Sequence, residues 1–241
     1  MPRIKRASET EALVKQWNRK ADKTGLLHTV YSGTGDQYTG EWSNNLRHGR
    51  GTQVWRSGAV VYEGEWKCGV RDGSGTLSKL HPPTNQLMRV YTGEWRNNKK
   101  EGYGTYFYSS SGRYDGQWVA DWRSGCGRMF YENGDVYEGE WRDDKAHGRG
   151  TLQLANGNQY EGEWRSGRKN GRGRFLYVDR GQLYEGLWVD DVPKCGTLSD
   201  YDREHAAAPT LYPIPQVLLQ DVQSVLQEGL QRFSTKPEEE E

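Results

Sequence analysis

The sequence predicts an all-β repeat protein, an elongated single-layer antiparallel meander of β-hairpins with a short helix at each end of the chain. A Tyr-x-Gly-x-Trp motif occurs seven times in 241 residues, with steps of 24, 29, 23, 23, 23 and 24 residues between successive tyrosines. A Gly-x-Gly pair follows 11 residues after each of the first six tyrosines. A period of about 20–50 residues is typical of repeat arrays, in which each unit packs on its neighbours. The motif residues are Tyr38, Gly40, Trp42, Tyr62, Gly64, Trp66, Tyr91, Gly93, Trp95, Tyr114, Gly116, Trp118, Tyr137, Gly139, Trp141, Tyr160, Gly162, Trp164, Tyr184, Gly186 and Trp188.

The spacing inside the motif predicts a β-strand. Residues at i, i+2 and i+4 lie on one face of a strand, whereas on a helix they would scatter and the central glycine would cost about 1 kcal/mol. The two intervening positions hold ten acidic residues across the seven copies, for example Glu138 and Glu140, and these would lie on the other face. We expect the glycine to leave bare backbone over which a neighbouring aromatic ring can lie.

Turn signals divide each repeat into two strands. A polar step follows the motif tryptophan, as at Asn44-Asn45, and Gly-x-Gly then opens a second strand. A second turn closes the unit, and Asn133-Gly134 is a strong hairpin signal because both residues tolerate positive φ. Each period is therefore predicted as strand–turn–strand–turn, which gives roughly 14–16 strands in one sheet.

The composition leaves aromatic rings as the main material for a core. Mean hydropathy is −1.02 and 33% of the residues are hydrophobic, which would suit a disordered chain, but seven of the 10 Trp and seven of the 15 Tyr stand in the motif. A face of such rings can be buried without a thick aliphatic layer.

The three cysteines are scattered without a CxxC pair, and no long apolar run or signal peptide is seen. We expect an intracellular, cytoplasmic protein with reduced cysteines.

The repeat pattern divides the chain into three parts. We predict a helical or flexible N-terminal segment over 1–24 and a repeat array over 25–201. A Pro-rich linker, an amphipathic helix and an acidic tail follow over 202–241. The seven repeats span about 38–60, 62–84, 91–113, 114–136, 137–159, 160–183 and 184–201.

Three places depart from the regular pattern. Residues 26–31 predict a lone strand before the first repeat. The 29-residue step marks an insertion near His81, which predicts a long surface turn. The seventh repeat lacks a complete Gly-x-Gly, as expected of a terminal cap.

The C-terminal segment predicts an amphipathic helix from Val217 to Phe233. Its apolar side chains follow helical spacing. The helix either covers the end of the sheet or contacts a partner or a second copy of the chain, and the sequence leaves these alternatives open. The apolar residues are Leu218, Leu219, Val222, Val225, Leu226, Leu230 and Phe233.

The charges are balanced overall, with 33 basic and 33 acidic residues, but they are unevenly placed. The six links from a motif tryptophan to the second glycine of Gly-x-Gly hold 15 Lys or Arg and 5 Asp or Glu, which predicts a basic edge of the sheet. The most basic link contains Arg165, Arg168, Lys169 and Arg172 and no acid. These charges either serve solvation and cross-strand ion pairing or bind an anion, such as a phosphoinositide or an acidic partner.

No pattern typical of catalysis is present. The chain lacks Gly-x-Ser-x-Gly, His-Glu-x-x-His and P-loop motifs, and His48 and His147 occupy equivalent repeat positions, which indicates a structural role. We expect no enzymatic activity, no metal and no cofactor. The Gly-Arg-Gly steps are in phase with the hairpins and the net charge is zero, so we expect no binding to nucleic acid.

The repeating unit resembles the MORN repeat, the membrane occupation and recognition nexus. The stretch from Asp135 to Gly157 matches almost fully, and the resemblance covers about residues 31–200; Asp115-Gly116-Gln117 and the seventh repeat depart from it. The resemblance implies a scaffold whose elongated grooved sheet organises other proteins, as family members do in cilia, flagella and sperm. It therefore implies a place at the sperm flagellum or acrosome. Some members were proposed to bind phospholipids, so a peripheral module on an acidic membrane surface is the second hypothesis, and a homodimer is a further option.

Overall fold

The protein forms one antiparallel sheet of 15 strands, hydrogen-bonded in the order of the sequence from β1 to β15. The computed structural model describes residues 22–56, 59–215 and 227. It confirms the all-β repeat meander, while the helix predicted in residues 1–24 and, apart from Gln227, the one predicted from Val217 to Phe233 lie outside the described residues. The strands are β1 (Gly25–Tyr31), β2 (Gln37–Ser43), β3 (Leu46–Trp55), β4 (Val60–Lys67), β5 (Val70–His81), β6 (Gln86–Arg96), β7 (Lys99–Phe107), β8 (Arg113–Val119), β9 (Trp122–Phe130), β10 (Val136–Arg142), β11 (Lys145–Gln153), β12 (Gln159–Arg165), β13 (Arg168–Tyr177), β14 (Gln182–Val189) and β15 (Val192–Asp200).

The strand register separates the motif from its intervening residues. Gly139 of β10 pairs with Gly150 of β11, and Gly150 pairs in turn with Gly162 of β12. Because directly paired residues share a face, the tyrosines, glycines and tryptophans of all repeats lie on one side, which we call the aromatic face. The intervening residues, such as Glu138 and Glu161, lie on the other side, which we call the polar face.

The core is a continuous stack of rings on the aromatic face. Each of the first six motif tyrosines lies between the tryptophan of its own repeat and that of the next, and Tyr137 is edge-on to Trp141 at 5.1 Å and to Trp164 at 5.0 Å between ring centroids. The five central tyrosines are fully buried. Edge-to-face ring pairs contribute about 0.5–1.5 kcal/mol beyond the area that they bury, so this stack substitutes for an aliphatic core. The fully buried tyrosines are Tyr62, Tyr91, Tyr114, Tyr137 and Tyr160.

The hairpin turn after each motif tryptophan uses two residues in the left-handed region. Asn44 and Asn45 have φ of 48° and 66°, and the corresponding pair has positive φ in all seven repeats. Such turns match the right-handed twist of the flanking strands and favour Asn, Asp and Gly. Cys68 and Ala120 also adopt this conformation, with φ of 50° in each case, although their side chains do not favour it.

The insertion near His81 differs from the predicted long surface turn. β5 and β6 extend to His81 and Gln86 and leave only four residues, 82–85, between them. Leu80 pairs with Leu87, so most of the extra residues continue the ladder instead of forming a loop. A register shift between Leu77 and Ser78 marks where this longer hairpin leaves the regular repeat.

After β15 the chain turns back along the sheet. A 3₁₀ turn spans Arg203–His205, and Tyr201 N–H donates to Gly181 C=O at 2.8 Å. Ala208 N–H donates to Asp179 C=O, also at 2.8 Å. This returning segment therefore ties the linker to the loop between β13 and β14.

Candidate functional site

The glycines of the motif allow the tyrosine rings to lie flat on the backbone. A Cβ atom at Gly150 would lie 2.6 Å from Cζ of Tyr137, so no larger residue fits there. The Tyr137 hydroxyl donates to the C=O of Glu140 at 3.0 Å, and Trp164 Nε1 donates to the C=O of Gly150 at 3.0 Å. The polar atoms of these two rings are therefore both satisfied by backbone. The motif glycine meets the same ring, since a Cβ at Gly139 would lie 2.7 Å from the Tyr137 hydroxyl, so the expectation that bare glycine backbone receives an aromatic ring is confirmed.

The second intervening residue of the motif has a structural task. The Glu140 carboxylate curls back over Gly148 and accepts the N–H of Arg149 at 3.0 Å. Gln117 makes the same bond to Cys126 N–H at 2.8 Å, so the repeat with fewer acids keeps the contact through an amide. These acids are therefore not simply a solvated stripe.

A row of cations covers the tryptophans, and we call it the cation ladder. The basic residue five positions after one motif tryptophan lies over the tryptophan of the next repeat; Arg123, for example, is 4.5 Å from the ring centroid of Trp141. Stacking of this kind contributes about 0.5–2 kcal/mol, depending on burial. Ala146 occupies the same position in its repeat. The members are Lys23 over Trp42, Arg47 over Trp66, Arg71 over Trp95, Lys100 over Trp118, Arg123 over Trp141 and Lys169 over Trp188.

The polar face of the C-terminal repeats contains a groove of about 890 Å³. Glycine pairs such as Gly162 and Gly173 form its floor, since they carry no side chain. One wall follows a row of cross-strand neighbours, in which Arg174 bonds Glu161 at 2.6 Å. The row consists of Glu138, Thr151, Glu161, Arg174 and Glu185.

The opposite wall of this groove is mixed in character. Arg149 pairs with Glu163 and Arg172 pairs with Leu187, which pairs with Cys195. Leu187 is 41% exposed and stands where other repeats carry Glu or Gln. The last repeats therefore add apolar surface to an otherwise charged groove.

A second groove of about 640 Å³ lies on the polar face of the N-terminal repeats. Its row of cross-strand neighbours is rich in threonine, and the hydroxyls of Thr76 and Thr92 are 3.0 Å apart. Thr52, Glu63 and Ser74 also line it. The polar face thus changes along the array from hydroxyl groups to charged groups.

The four cations predicted to bind an anion lie on different surfaces. Arg165 and Arg168 form an exposed cross-strand pair at a hairpin tip. Lys169 lies over the rings of the aromatic face, and burial lowers the pKa of its amino group. Arg172 lines the groove of the polar face. One continuous basic edge is therefore wrong as a description, because five of the 15 basic link residues belong to the cation ladder.

The remaining basic residues concentrate at three hairpin tips. Cross-strand pairs of exposed cations occur at Arg96–Lys99, Arg142–Lys145 and Arg165–Arg168. Between the first and second of these tips stand Val119 and Trp122, each 54% exposed. This edge combines positive charge with an exposed aromatic ring.

Among the described residues, no group of three His, Cys, Asp or Glu side chains is arranged to hold a metal ion. In that same part of the chain, no helix is long and apolar enough to cross a membrane. The helix proposed as a partner contact lies outside the described residues, Gln227 excepted, so its role stays a prediction.

The cation ladder and the backbone contacts of the motif acids were not predicted from the sequence. A signal for the ladder does exist, because a Lys or Arg stands five residues after Trp42, Trp66, Trp95, Trp118 and Trp164. The pattern was hidden among the other basic residues of the links. The pairing of Arg47 with Trp42 and of Lys169 with Trp164 shows that this position lies on the aromatic face.

Comparison with known proteins gives a consistent result. The sequence profile described as the MORN repeat matches 38–60, 62–79, 91–113, 114–136, 137–159 and 160–182. The chain is 62% identical over 233 residues to MORN repeat-containing protein 3 of Homo sapiens, with 97% of each chain covered. It is 60% identical to the Mus musculus protein of that name, with 100% of each covered. It is 54% identical to that of Xenopus laevis, with 96% of this chain and 97% of the relative covered.

Proposed function

Since this chain belongs to the MORN repeat family, we propose that it is a non-enzymatic scaffold that holds a segment of a partner protein in the groove of its polar face. The groove is the observation that carries the proposal. It offers about 890 Å³ lined by glycine backbone, alternating acids and bases, and the apolar Leu187. Such a surface can recognise a polypeptide whose charges are complementary to those of the groove along its length.

The charge pattern indicates what kind of segment would fit. Acids outnumber bases along the row from Glu138 to Glu185, where Arg174 is the single cation among three glutamates. The other wall supplies Arg149 and Arg172. A partner segment with basic residues on one side and acidic residues on the other would be complementary to both walls.

We expect a charge swap in the groove to abolish partner binding while the fold is retained. Exchanging Glu161→Arg together with Arg174→Glu preserves the cross-strand ion pair but reverses its direction. Affinity purification of the full chain from native tissue should lose, with the swapped variant, specific proteins that the unmodified chain recovers. The matched control is Arg168→Asp with Asp190→Arg, a pair at 3.7 Å whose side chains are 61% and 59% exposed and do not line the groove. Equal recovery with both variants would contradict binding in the groove.

A peripheral membrane role is the alternative function, and the basic hairpin tips favour it. Two neighbouring tips carry Arg142, Lys145, Arg165 and Arg168, all exposed; Asp143 and Asp144 lie between the first two, and Asp190 is 3.7 Å from Arg168. Each cation near an anionic surface contributes about 1 kcal/mol. The exposed ring of Trp122 is of the type that lies at the headgroup level of a bilayer.

Replacing these four tip cations with Ser should weaken sedimentation with phosphatidylserine vesicles on the order of a hundredfold or more, and should reduce its salt dependence. The control replaces four cations of the polar face, Arg128, Arg149, Arg172 and Arg174, with Ser, which removes the same net charge. If the unmodified protein ignores such vesicles at low salt, the alternative function is wrong. If both variants lose equally, net charge and not the tips drives the binding.

The proposal extends to the place that the family resemblance implies, which is the cytoplasm of sperm or ciliated cells, at the flagellum or acrosome. The family resemblance is what supports this part of the proposal. Immunofluorescence on sperm and ciliated epithelium, with a knockout control, would test it.

A further inference from the structure

We propose that the break in the cation ladder at Ala146 binds an arginine side chain of a partner polypeptide. This inference concerns the aromatic face and goes beyond the groove of the polar face. The occupied positions of the cation ladder show how a guanidinium lies at the place that corresponds to Ala146.

The backbone frame at Ala146 is the same as at the occupied positions. The C=O of Ala146 accepts the N–H of Gly167 at 2.8 Å, as the C=O of Arg47 accepts the N–H of Gly69 at 2.9 Å. Trp141 pairs with Ala146 as Trp42 pairs with Arg47. The repeat therefore departs from the ladder in its side chain and not in its fold.

The Trp164 ring that a cation would cover is buried, but slightly less so than its equivalents: it is 7% exposed, against 3–5% for the other buried motif tryptophans. Within the part of the chain that the structure describes, no Lys or Arg lies over Trp164, whereas each of the other six motif tryptophans has one. A cavity of about 590 Å³ lies at this point and is lined by Ala146, Trp164 and Gly167. Tyr108 and Tyr131, which are 47% and 38% exposed, stand in the same lining.

Guanidinium is the group that fits this place best. The Arg47 side chain stacks at 4.2 Å on Trp66 and donates to the C=O of Gly69 at 2.8 Å. Arg71 donates to the C=O of Asn98 and Arg123 to the C=O of Asp144, each at 2.8 Å. Asn98 and Asp144 hold the same turn position as Gly69, three residues after a motif tryptophan. At the break, the Trp164 ring and the Gly167 C=O supply the equivalent stacking surface and acceptor.

The charges around the cavity do not oppose a cation. Arg123 is already paired with Asp144 at 3.0 Å, and Lys169 lies over Trp188. Asp135, Asp191 and Lys145 also line the cavity, so its three acids and three bases balance. A planar cation that stacks on a ring in such partly desolvated surroundings is stabilised more strongly than it would be in water.

The test uses the full chain and observes the indole N–H signal of Trp164 by NMR. The probe is N-acetyl-arginine N-methylamide, and the matched control is the citrulline analogue, which has the same shape but no charge. We expect a saturable shift of the Trp164 signal, with arginine binding about tenfold tighter than citrulline, and little change at Trp66, whose ring Arg47 covers.

Two substitutions at Ala146 would fill the site with a side chain of the protein itself. Ala146→Arg should place a guanidinium over Trp164, raise the melting temperature and remove the response to the probe. Ala146→Lys is the second closing variant, because lysine stands at this ladder position at Lys100 and Lys169. The proposal is overturned if arginine and citrulline act equally, if a folded variant responds as the unmodified chain does, or if the Trp164 signal moves with neither compound.

The groove swap described above leaves this site untouched, so failure of one proposal is distinguishable from failure of the other.

Discussion

Trp141→Ala should lower the free energy of unfolding by about 3–5 kcal/mol, the range for a large aromatic side chain removed from a packed core. Trp141 is 5% exposed and lies edge-on to Tyr137 and Tyr114 at 5.1 and 5.2 Å. Its Nε1 donates to Gly127 C=O at 3.1 Å, and Arg123 covers its outer side. The substitution therefore removes contacts from two repeats at once.

Trp42→Ala should cost clearly less. Trp42 is half-buried and packs on Tyr38 alone among the motif tyrosines, and its buried Nε1 has no acceptor among the residues that the structure describes. Urea unfolding followed by circular dichroism would measure both variants, with Trp122→Ala as a control because that ring is 54% exposed. Equal losses for Trp42→Ala and Trp141→Ala would contradict stacking between neighbouring repeats as the source of stability.

The structure changes the expectation for the other end of the array. The degenerate seventh repeat predicts from sequence that Trp188 is a weakly packed cap residue. Trp188 is instead 3% exposed, contacts Tyr160 and Tyr184, and lies beneath Lys169. Its loss should therefore resemble that of a central tryptophan more than that of Trp42.

Gly150→Ala should also destabilise strongly, by about 2–3 kcal/mol, because it overpacks a filled site. The new Cβ would lie 2.6 Å from Cζ of Tyr137 and closer still to its hydroxyl oxygen. The ring cannot move away easily, since Tyr137 is held between Trp141 and Trp164. Thermal unfolding should show a lower midpoint for this variant.

The matched control for this effect is Gly33→Ala. In the described part of the chain, no atom lies within 4 Å of a Cβ at Gly33, so this variant should keep the original melting temperature. Combining Gly150→Ala with Tyr137→Leu should cost less than the sum of the two single changes, because the smaller side chain removes the clash. Strict additivity would show that the loss at Gly150 has another cause, such as altered backbone freedom.

The sheet could be predicted from sequence because its period and its alternation are simple. A tyrosine, a glycine and a tryptophan at every second position define a face, and the Asn, Asp and Gly steps define the turns. The insertion near His81 was harder, because Leu80, Leu87 and Met88 are compatible with either a loop or a longer hairpin. Pairing across β5 and β6 decides between these, and that information is not local in the chain.

The site was only partly predictable, for a reason of geometry. Register shifts within the hairpins, such as the one between Gly162 and Trp164, change which link residues lie opposite one another. Lys169 and Arg172 are three residues apart on one strand and therefore lie on opposite faces, so one covers an aromatic ring and the other lines the groove. Composition alone could count the basic residues of a link but could not assign them to these two surfaces.

The stacking of each tyrosine between two tryptophans has a consequence for how such a chain can change in length. Removing one whole unit, residues 137–159, would bring Tyr160 beside β9 in the place of Tyr137, and Trp164 against Tyr114 in the place of Trp141. Every junction would be re-formed by the same pair of residue types, and Arg123 would come to cover Trp164. Gain or loss of complete units therefore alters the reach of the protein without creating a new kind of joint, whereas removal of a partial unit would leave rings and glycines unmatched.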